Sequence, residues 1–90
     1  MYSRSVKLVN KTGLHARPAS QFVNEAKNFE SQITVKKVGT DTEPLNAKSI
    51  ILLLTLAIGF GTEIEIAADG EDEVQAVDAL VKLVESGFGE

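Results

Sequence analysis

Hydrophobic and polar residues alternate along the chain in a pattern that predicts several strands. Period-two alternation, which is typical of strands with one buried face, occurs at three pairs: Val6 and Leu8, Ile33 and Val35, and Ile64 and Ile66. The first strand is expected within residues 2–9, the second from Ile33 to a stop at Gly39, and a weaker third strand over Thr40–Asn46. Because Pro44 has no N–H to donate, the third strand is expected at a sheet edge or with a bulge.

Three further segments have helical spacing. Apolar residues recur every three or four positions from Ala19 to Phe29, and again from Val74 to Val84. Pro18 suits a first turn, so the first helix is expected to begin at residue 16 or 17. Between these segments, the apolar run Ile50–Ile58 predicts a short helix with Ser49 as its N-cap.

The predicted order of elements is therefore β-α-β-β-α-β-α, within one domain of residues 1–90. This order predicts an α+β fold, with a four-stranded antiparallel sheet covered on one face by three helices. The other face of the sheet is expected to contact solvent, since Glu63 and Glu65 alternate with isoleucines.

The composition excludes several classes of protein. The 90 residues contain no Cys and one His, which excludes disulfides, thiolate chemistry and an ordinary zinc site. No metal or organic cofactor is implied. The run Ile50–Ile58 is less than half of the ~20 residues that a membrane span needs, and no signal peptide is visible at the N-terminus. We therefore expect a cytoplasmic protein without membrane insertion.

Charge is distributed unevenly along the chain. The net charge of −4 argues against nucleic acid as a partner. Eight of the nine Lys and Arg residues lie within residues 1–48, whereas nine of the thirteen acids lie within residues 49–90. This asymmetry has two interpretations: a field that orients the chain toward an acidic partner, or simply acids on solvated helix faces.

The stretch Gly13-Leu14-His15-Ala16-Arg17-Pro18-Ala19 carries the candidate chemistry. It places an imidazole and a guanidinium at a helix N-terminus, where free N–H groups favour a phosphoryl group. Neutral imidazole is a nucleophile near pH 7, and Arg binds phosphate oxygens with planar donors. An exposed His and Arg that merely begin a helix is the simpler interpretation. However, a cation at a helix N-terminus opposes the helix dipole.

This stretch resembles the phosphohistidine motif of the HPr family of the bacterial phosphotransferase system. Asn46-Ala47-Lys48-Ser49-Ile50 is similar to the family's second motif, around a regulatory serine. The resemblance extends over essentially the whole chain and implies the open-faced β-sandwich fold.

The resemblance also implies roles for individual residues. His15 would accept a phosphoryl group on Nδ1 from phosphorylated enzyme I and pass it to a sugar-specific enzyme IIA. Arg17 would neutralise the charge of the phosphoryl group, and the backbone N–H groups of Ala16 and Arg17 would bind it. The chain would then be a stoichiometric carrier and not an enzyme, and a monomer by default.

Ser49 has two compatible interpretations. It is an N-cap, and it resembles the serine that an HPr kinase/phosphorylase modifies. Modification would suit binding to a catabolite-control repressor, so a regulatory interaction module of the same fold is an alternative to the carrier. A phosphocarrier of a parallel nitrogen-regulatory branch is another.

The second predicted helix is apolar nearly all round. We expect Ile50, Ile51 and Leu54 to form an exposed patch near His15, which in the family docks partners. The alternative is a fully enclosed core helix. The family usually has methionines and a glycine in this helix, at the positions of Ile51, Leu52 and Leu54. Since branched side chains adapt less readily than Met, the range of partners is in question.

Overall fold

Within residues 1–41, 43–56 and 58–89, which the computed structural model describes, four strands and three α-helices follow the predicted order βαββαβα. The elements are β1 (Tyr2–Lys7), α1 (Ala16–Ala26), β2 (Gln32–Lys37), β3 (Leu45–Asn46), α2 (Ile50–Thr55), β4 (Glu63–Asp69) and α3 (Glu73–Glu85), followed by a 3-10 turn at Gly87–Gly89. None of the helices in these ranges is long and apolar enough to cross a membrane.

The four strands form one antiparallel sheet in the order β1-β4-β2-β3. The register places Val6 opposite Ile64 and Val35 opposite Ile66, so the apolar residues of neighbouring strands share one face. On the other face, Lys36 pairs with Glu65 across β2 and β4, with 3.6 Å between nitrogen and oxygen. The predicted division into one apolar and one polar face is confirmed.

The helices bury their apolar stripes against the apolar face of the sheet. Phe22 of α1 and Leu80 of α3 are both fully buried in this core. The prediction that Val74 belongs to the buried stripe of α3 is wrong, because its side chain is 46% exposed. Val74 is the second residue of α3, and Ala76 and Val77 instead begin the buried stripe.

The third strand is much shorter than predicted. Pairing with β2 is limited to Leu45 and Asn46, opposite Val35 and Thr34. Thr42, within the predicted Thr40–Asn46 strand, lies outside the described residues. Pro44 immediately precedes the short strand and cannot donate to a ladder, which accounts for the late start of pairing. The expected edge position is confirmed.

Helix α2 also ends earlier than predicted. Its last residue is Thr55, whose hydroxyl donates to the carbonyl oxygen of Leu52 over 2.6 Å. Ile58, expected to be the last helical residue, instead accepts a hydrogen bond from the N–H of Leu14. Ala57 lies outside the described residues. The Thr55 hydroxyl thus occupies the Leu52 carbonyl, and the Leu14 N–H occupies the Ile58 carbonyl. The predicted third turn of the helix does not form.

Asp72 joins the segment after α1 to the beginning of α3. Its carboxylate accepts from the hydroxyl of Ser31, from the Ser31 N–H at 3.0 Å and from the Glu30 N–H at 2.9 Å. The bond from the Ser31 hydroxyl and the backbone bond from Glu30 lower the pKa of Asp72. This carboxylate therefore fixes the turn between α1 and β2 against α3.

The C-terminal turn at Gly87–Gly89 adds an apolar side chain that the helical pattern does not include. Phe88 is only 5% exposed and has a left-handed backbone conformation, with φ +56°. Gly87 and Gly89 share this conformation. Gly87 lies against the segment that follows β1, since a Cβ there would be 3.9 Å from a methyl carbon of Val9.

Candidate functional site

The loop before α1 is fixed to the segment after α2. The N–H of Leu14 donates to the carbonyl oxygen of Ile58 over 2.8 Å, and the N–H of Gly13 donates to the Asn10 carbonyl over 3.1 Å. Gly13 has φ +65°, and a Cβ at this position would lie 2.6 Å from both Cα of Gly59 and the carbonyl oxygen of Ile58. Glycine is therefore required here both by conformation and by the close approach of the two backbones.

His15 is the N-cap residue of α1, and its side chain is exposed. Its backbone is extended and its carbonyl accepts the first helical bond, from Ala19 over 2.8 Å. The imidazole makes no capping bond to the helix. By contrast, the preceding Leu14 is 3% exposed and belongs to the core. Burial of Leu14 thus anchors the loop while the next side chain projects into solvent.

The first turn of α1 offers two backbone donors beside His15. Helices leave their first N–H groups without intrahelical acceptors. Here Pro18 has no N–H, and the Ala19 N–H bonds to His15. The N–H groups of Ala16 and Arg17 make no hydrogen bond within the part of the chain that the structure describes. The sequence prediction that these two groups are available to an anion is consistent with this geometry.

Arg17 adds a cation to the same helix end. Its side chain is exposed, and none of the three ion pairs among residues 1–41, 43–56 and 58–89 includes it. No acid lies in the first turn of α1. Since no carboxylate in these ranges holds the guanidinium, it can bind an external anion through planar donors.

Ser49 occupies the predicted N-cap position of α2. Its Oγ accepts from the N–H of Leu52 over 3.3 Å, and its carbonyl oxygen accepts from Leu53. The neighbouring Lys48 ammonium donates to the carbonyl oxygen of Phe29 over 2.7 Å and so joins this region to the turn that follows α1. Ser49 is half-buried, which leaves part of the residue accessible.

The apolar residues of α2 divide between core and surface. Leu53 is fully buried, whereas Ile51 is 72% and Leu54 42% exposed, as the sequence predicts. Ile50, predicted to belong to the exposed patch, is instead half-buried and packs against the core. Leu52, which is not assigned to the predicted patch, is 36% exposed. The exposed apolar patch is therefore Ile51, Leu52 and Leu54; a docking role for it stays a prediction.

Asn10 is a polar residue of this region that the sequence pattern does not single out. It is 4% exposed, and its Nδ2 donates to the Gly13 carbonyl oxygen over 2.7 Å and to the Thr12 hydroxyl over 3.2 Å. The segment Asn10-Lys11-Thr12-Gly13 is typical of a turn, and turn propensity does not distinguish a buried Asn from an exposed one.

The geometry suits reversible binding of a phosphoryl group. An exposed imidazole, two backbone donors and an exposed guanidinium meet at the N-terminus of an eleven-residue helix. Because the imidazole is exposed, two different protein partners can reach the same nitrogen. These features fit group transfer between proteins better than conversion of an enclosed small substrate.

Comparison with known proteins agrees with this chemistry. The family model described as "PTS HPr component phosphorylation site" matches residues 2–86. The chain is 52% identical to the phosphocarrier protein HPr of Haemophilus influenzae, over 93% of this chain and 95% of that protein. It is 45% identical to the HPr-like protein Crh of Halalkalibacterium halodurans, over 94% and 98% respectively. The crystal structure of HPr-C-His from Thermoanaerobacter tengcongensis superposes with a TM-score of 0.92, at 46% identity over 100% of this chain and 98% of that one. The chain therefore belongs to the HPr family of phosphocarrier proteins of the phosphotransferase system, as its motifs and open-faced fold indicate.

Proposed function

We propose that this chain carries a phosphoryl group on His15 from phosphorylated enzyme I to an enzyme IIA. The observation that carries the proposal is the exposed imidazole at the N-cap of α1, next to the N–H groups of Ala16 and Arg17, which make no hydrogen bond to any described residue. Membership of a phosphocarrier family supports it. The chain would act as a stoichiometric intermediate and not as an enzyme with a small substrate.

The transfer is a pair of substitutions at phosphorus. Nδ1 of neutral His15 attacks the phosphorus atom of the phosphorylated donor, the new N–P bond forms, and the bond to the donor group breaks. In the second step, a nucleophile of enzyme IIA attacks the same phosphorus and the His15 ring leaves with its electron pair. Arg17 and the N–H groups of Ala16 and Arg17 stabilise the charge on the phosphoryl oxygens in both steps.

The site has to release its phosphoryl group as readily as it accepts it. A deep pocket with many donors would stabilise the phosphorylated form and slow the second step. Two backbone donors and one flexible guanidinium on an exposed helix end are a moderate set of contacts. The exposure of His15 and Arg17 supports this balance.

The first test is phosphate incorporation from phosphoenolpyruvate with enzyme I. The native chain is expected to take up one acid-labile phosphoryl group, and His15→Ala is expected to take up none. Because His15 is exposed, the variant should keep the unfolding free energy of the native chain within about 0.5 kcal/mol. Full incorporation by His15→Ala would exclude His15 as the acceptor.

A second function, regulation through Ser49, is supported by the position of this residue and by the likeness to Crh. The Ser49 hydroxyl would attack the γ-phosphorus of ATP on an HPr kinase/phosphorylase, with ADP as the leaving group. The phosphorylated chain would then bind a catabolite-control repressor. Incubation with the kinase and ATP should place phosphate on the peptide that contains Ser49, and Ser49→Ala should remove it. Phosphate elsewhere, or none, would reject this role.

A single domain, a cytoplasmic location and a monomeric state are parts of the same proposal. A phosphocarrier of a nitrogen-regulatory branch would use the same His15 chemistry with different partners. Incorporation assays with the enzyme I of each branch distinguish the two.

A further inference from the structure

Asn10 lies beneath the loop that carries His15. It follows β1 and is 4% exposed, although it carries a polar amide. Its Nδ2 donates to the carbonyl oxygen of Gly13 over 2.7 Å, and this bond is buried. The same nitrogen donates to the hydroxyl of Thr12 over 3.2 Å. One side chain therefore binds both residues that lead into Leu14 and His15.

Only the nitrogen of the Asn10 amide makes hydrogen bonds to the described residues. Its Oδ1 is buried and has no hydrogen-bond partner among the described residues. A buried acceptor without a partner opposes folding, and this cost offsets what the Nδ2 bonds contribute. A residue selected for stability alone would be apolar at such a position or would use both ends of its amide. The donor function of Nδ2 toward the loop is what distinguishes Asn10 from an apolar residue.

The bond from Asn10 to Gly13 adds a second constraint to the peptide that leads into Leu14. The N–H of Gly13 donates to the Asn10 carbonyl, and the N–H of Leu14 donates to Ile58. These bonds fix the N–H groups of the loop. The Asn10 side chain binds the Gly13 carbonyl, which belongs to the same planar peptide as the Leu14 N–H, so Asn10 and Ile58 hold this peptide from its two sides.

We propose that Asn10 is a positioning residue for phosphoryl transfer at His15, acting through its Nδ2–H bond to the Gly13 carbonyl. The inference rests on the proposed carrier function. In-line attack on phosphorus requires the nucleophilic nitrogen, the phosphorus and the leaving group to be aligned. A displacement of about 1 Å at the nucleophile lowers a rate by as much as about 10²-fold. Through the backbone, this bond sets the position of the His15 side chain relative to the N–H groups of Ala16 and Arg17.

Two variants separate the donor from the volume of the side chain. Asn10→Asp keeps the shape of the residue but presents a carboxylate oxygen to the Gly13 carbonyl, and Asn10→Ala removes the group. Both are expected to lower kcat/KM for phosphorylation by enzyme I about tenfold or more. The change should lie in kcat, with KM for this chain altered less than about twofold, because the exposed apolar patch on α2 is untouched.

The control has to remove stability without touching the loop. Val77→Ala, in the fully buried stripe of α3, should lower the unfolding free energy and lies on an element that contributes no residue to the loop. Lys11→Ala changes an exposed side chain of the same loop. Both controls should transfer phosphoryl groups at the native rate when rates are expressed per folded molecule, with the folded fraction measured by urea titration.

The outcomes are distinct. Native kcat in Asn10→Asp and Asn10→Ala, or a fall matched by Val77→Ala, would overturn the positioning role and leave the carrier function intact. If neither Asn10 variant folds, Asn10→Ser, which keeps a small donor, is measured in the same way. Failure of all three to fold would also overturn the proposal, because Asn10 would then be structural. No incorporation by the native chain would overturn the carrier function and this inference together.

Discussion

The N–H of Leu14 and the carbonyl oxygen of Ile58 are joined by a hydrogen bond of 2.8 Å. This bond connects the residue before His15 to the segment that follows α2. Ser49 caps the other end of α2, which is six residues or about 9 Å long. The candidate acceptor and the candidate regulatory serine therefore lie at two ends of one connected unit, although 34 positions separate them in the sequence.

Gly13→Ala should destabilise the protein through the contact between this loop and Gly59. The new Cβ would lie 2.6 Å from the Gly59 Cα, and the residue would have to keep φ +65°. Together, steric overlap and left-handed strain are expected to lower the unfolding free energy by about 2–4 kcal/mol, measured by urea titration.

Gly39→Ala is the matched control for this prediction. Gly39 has φ +81°, and a Cβ added there would have no atom of the described residues within 4 Å. Its substitution therefore introduces the strain without the overlap, and about 1–2 kcal/mol is expected. Equal losses of stability in the two variants would show that the close approach of Gly13 to Gly59 is not constraining.

Arg17→Ala should slow phosphoryl transfer without unfolding the chain. The guanidinium is exposed and takes part in none of the ion pairs among the described residues, so unfolding free energy should change by less than about 0.5 kcal/mol. Loss of a donor to the transferred group typically costs about 10²-fold in rate. Stopped-flow transfer from phosphorylated enzyme I would measure this, with exposed Lys27→Ala as the charge-matched control. Identical rates for the two variants would remove Arg17 from the mechanism.

Ile51→Asp should weaken binding of enzyme I. Ile51 is 72% exposed, so a carboxylate there stays hydrated and the unfolding free energy should hold within about 0.5 kcal/mol. KM for this chain is expected to rise several-fold. Val74→Asp places the same charge on another exposed apolar residue, on α3, and should leave KM unchanged. A rise in KM in both variants would indicate a general charge effect and not a docking patch.

Asp72→Asn should remove a pH-dependent part of the stability. Hydrogen bonds from the Ser31 hydroxyl and from the Glu30 and Ser31 N–H groups lower the pKa of Asp72. Since the folded pKa is depressed, the contribution is fully present above the unfolded value of about 3.9 and is lost as the pH falls through the folded pKa. Urea titrations should therefore show a constant difference between native and variant chains from about pH 7 to 5, and a shrinking difference below about pH 4.

Glu71→Gln is the control for the charge of Asp72. It removes one exposed carboxylate from the same turn and none of these hydrogen bonds. A pH-independent difference for Asp72→Asn, or an equal effect of Glu71→Gln, would contradict the assignment.

Regular spacing made most of the fold predictable. Val6, Ile33 and Ile64 each lie in a clean alternation, and their positions on one face follow from it. The run Ile50–Ile58 has no polar face, so its spacing alone could not predict that Leu52 is exposed and Leu53 buried. Tertiary contacts decided that division, and they also ended the helix at Thr55.

Candidate site residues can be named from the sequence where the proposed role rests on the side chain's own chemistry, and not where it rests on a contact with a neighbour. The imidazole of His15 and the guanidinium of Arg17 can be named from the stretch of sequence in which they occur. The role proposed for Asn10 rests on its contact with the Gly13 carbonyl, which depends on how the loop folds over it. Phe88 is similar, because its burial requires a left-handed turn that only the flanking glycines indicate.

The order of the strands in the sheet also determines the order in which it can be completed. Among the described strands, β1 pairs with β4 and no other, with Tyr2 opposite Ala68. During synthesis β1 therefore has no sheet partner until β4, about 60 residues further along the chain, has been made. Closing so long a loop is slow in comparison with forming α1 or α3. We therefore expect β1 to dock late in folding, so that the loop of His15 is completed only when β4 is in place.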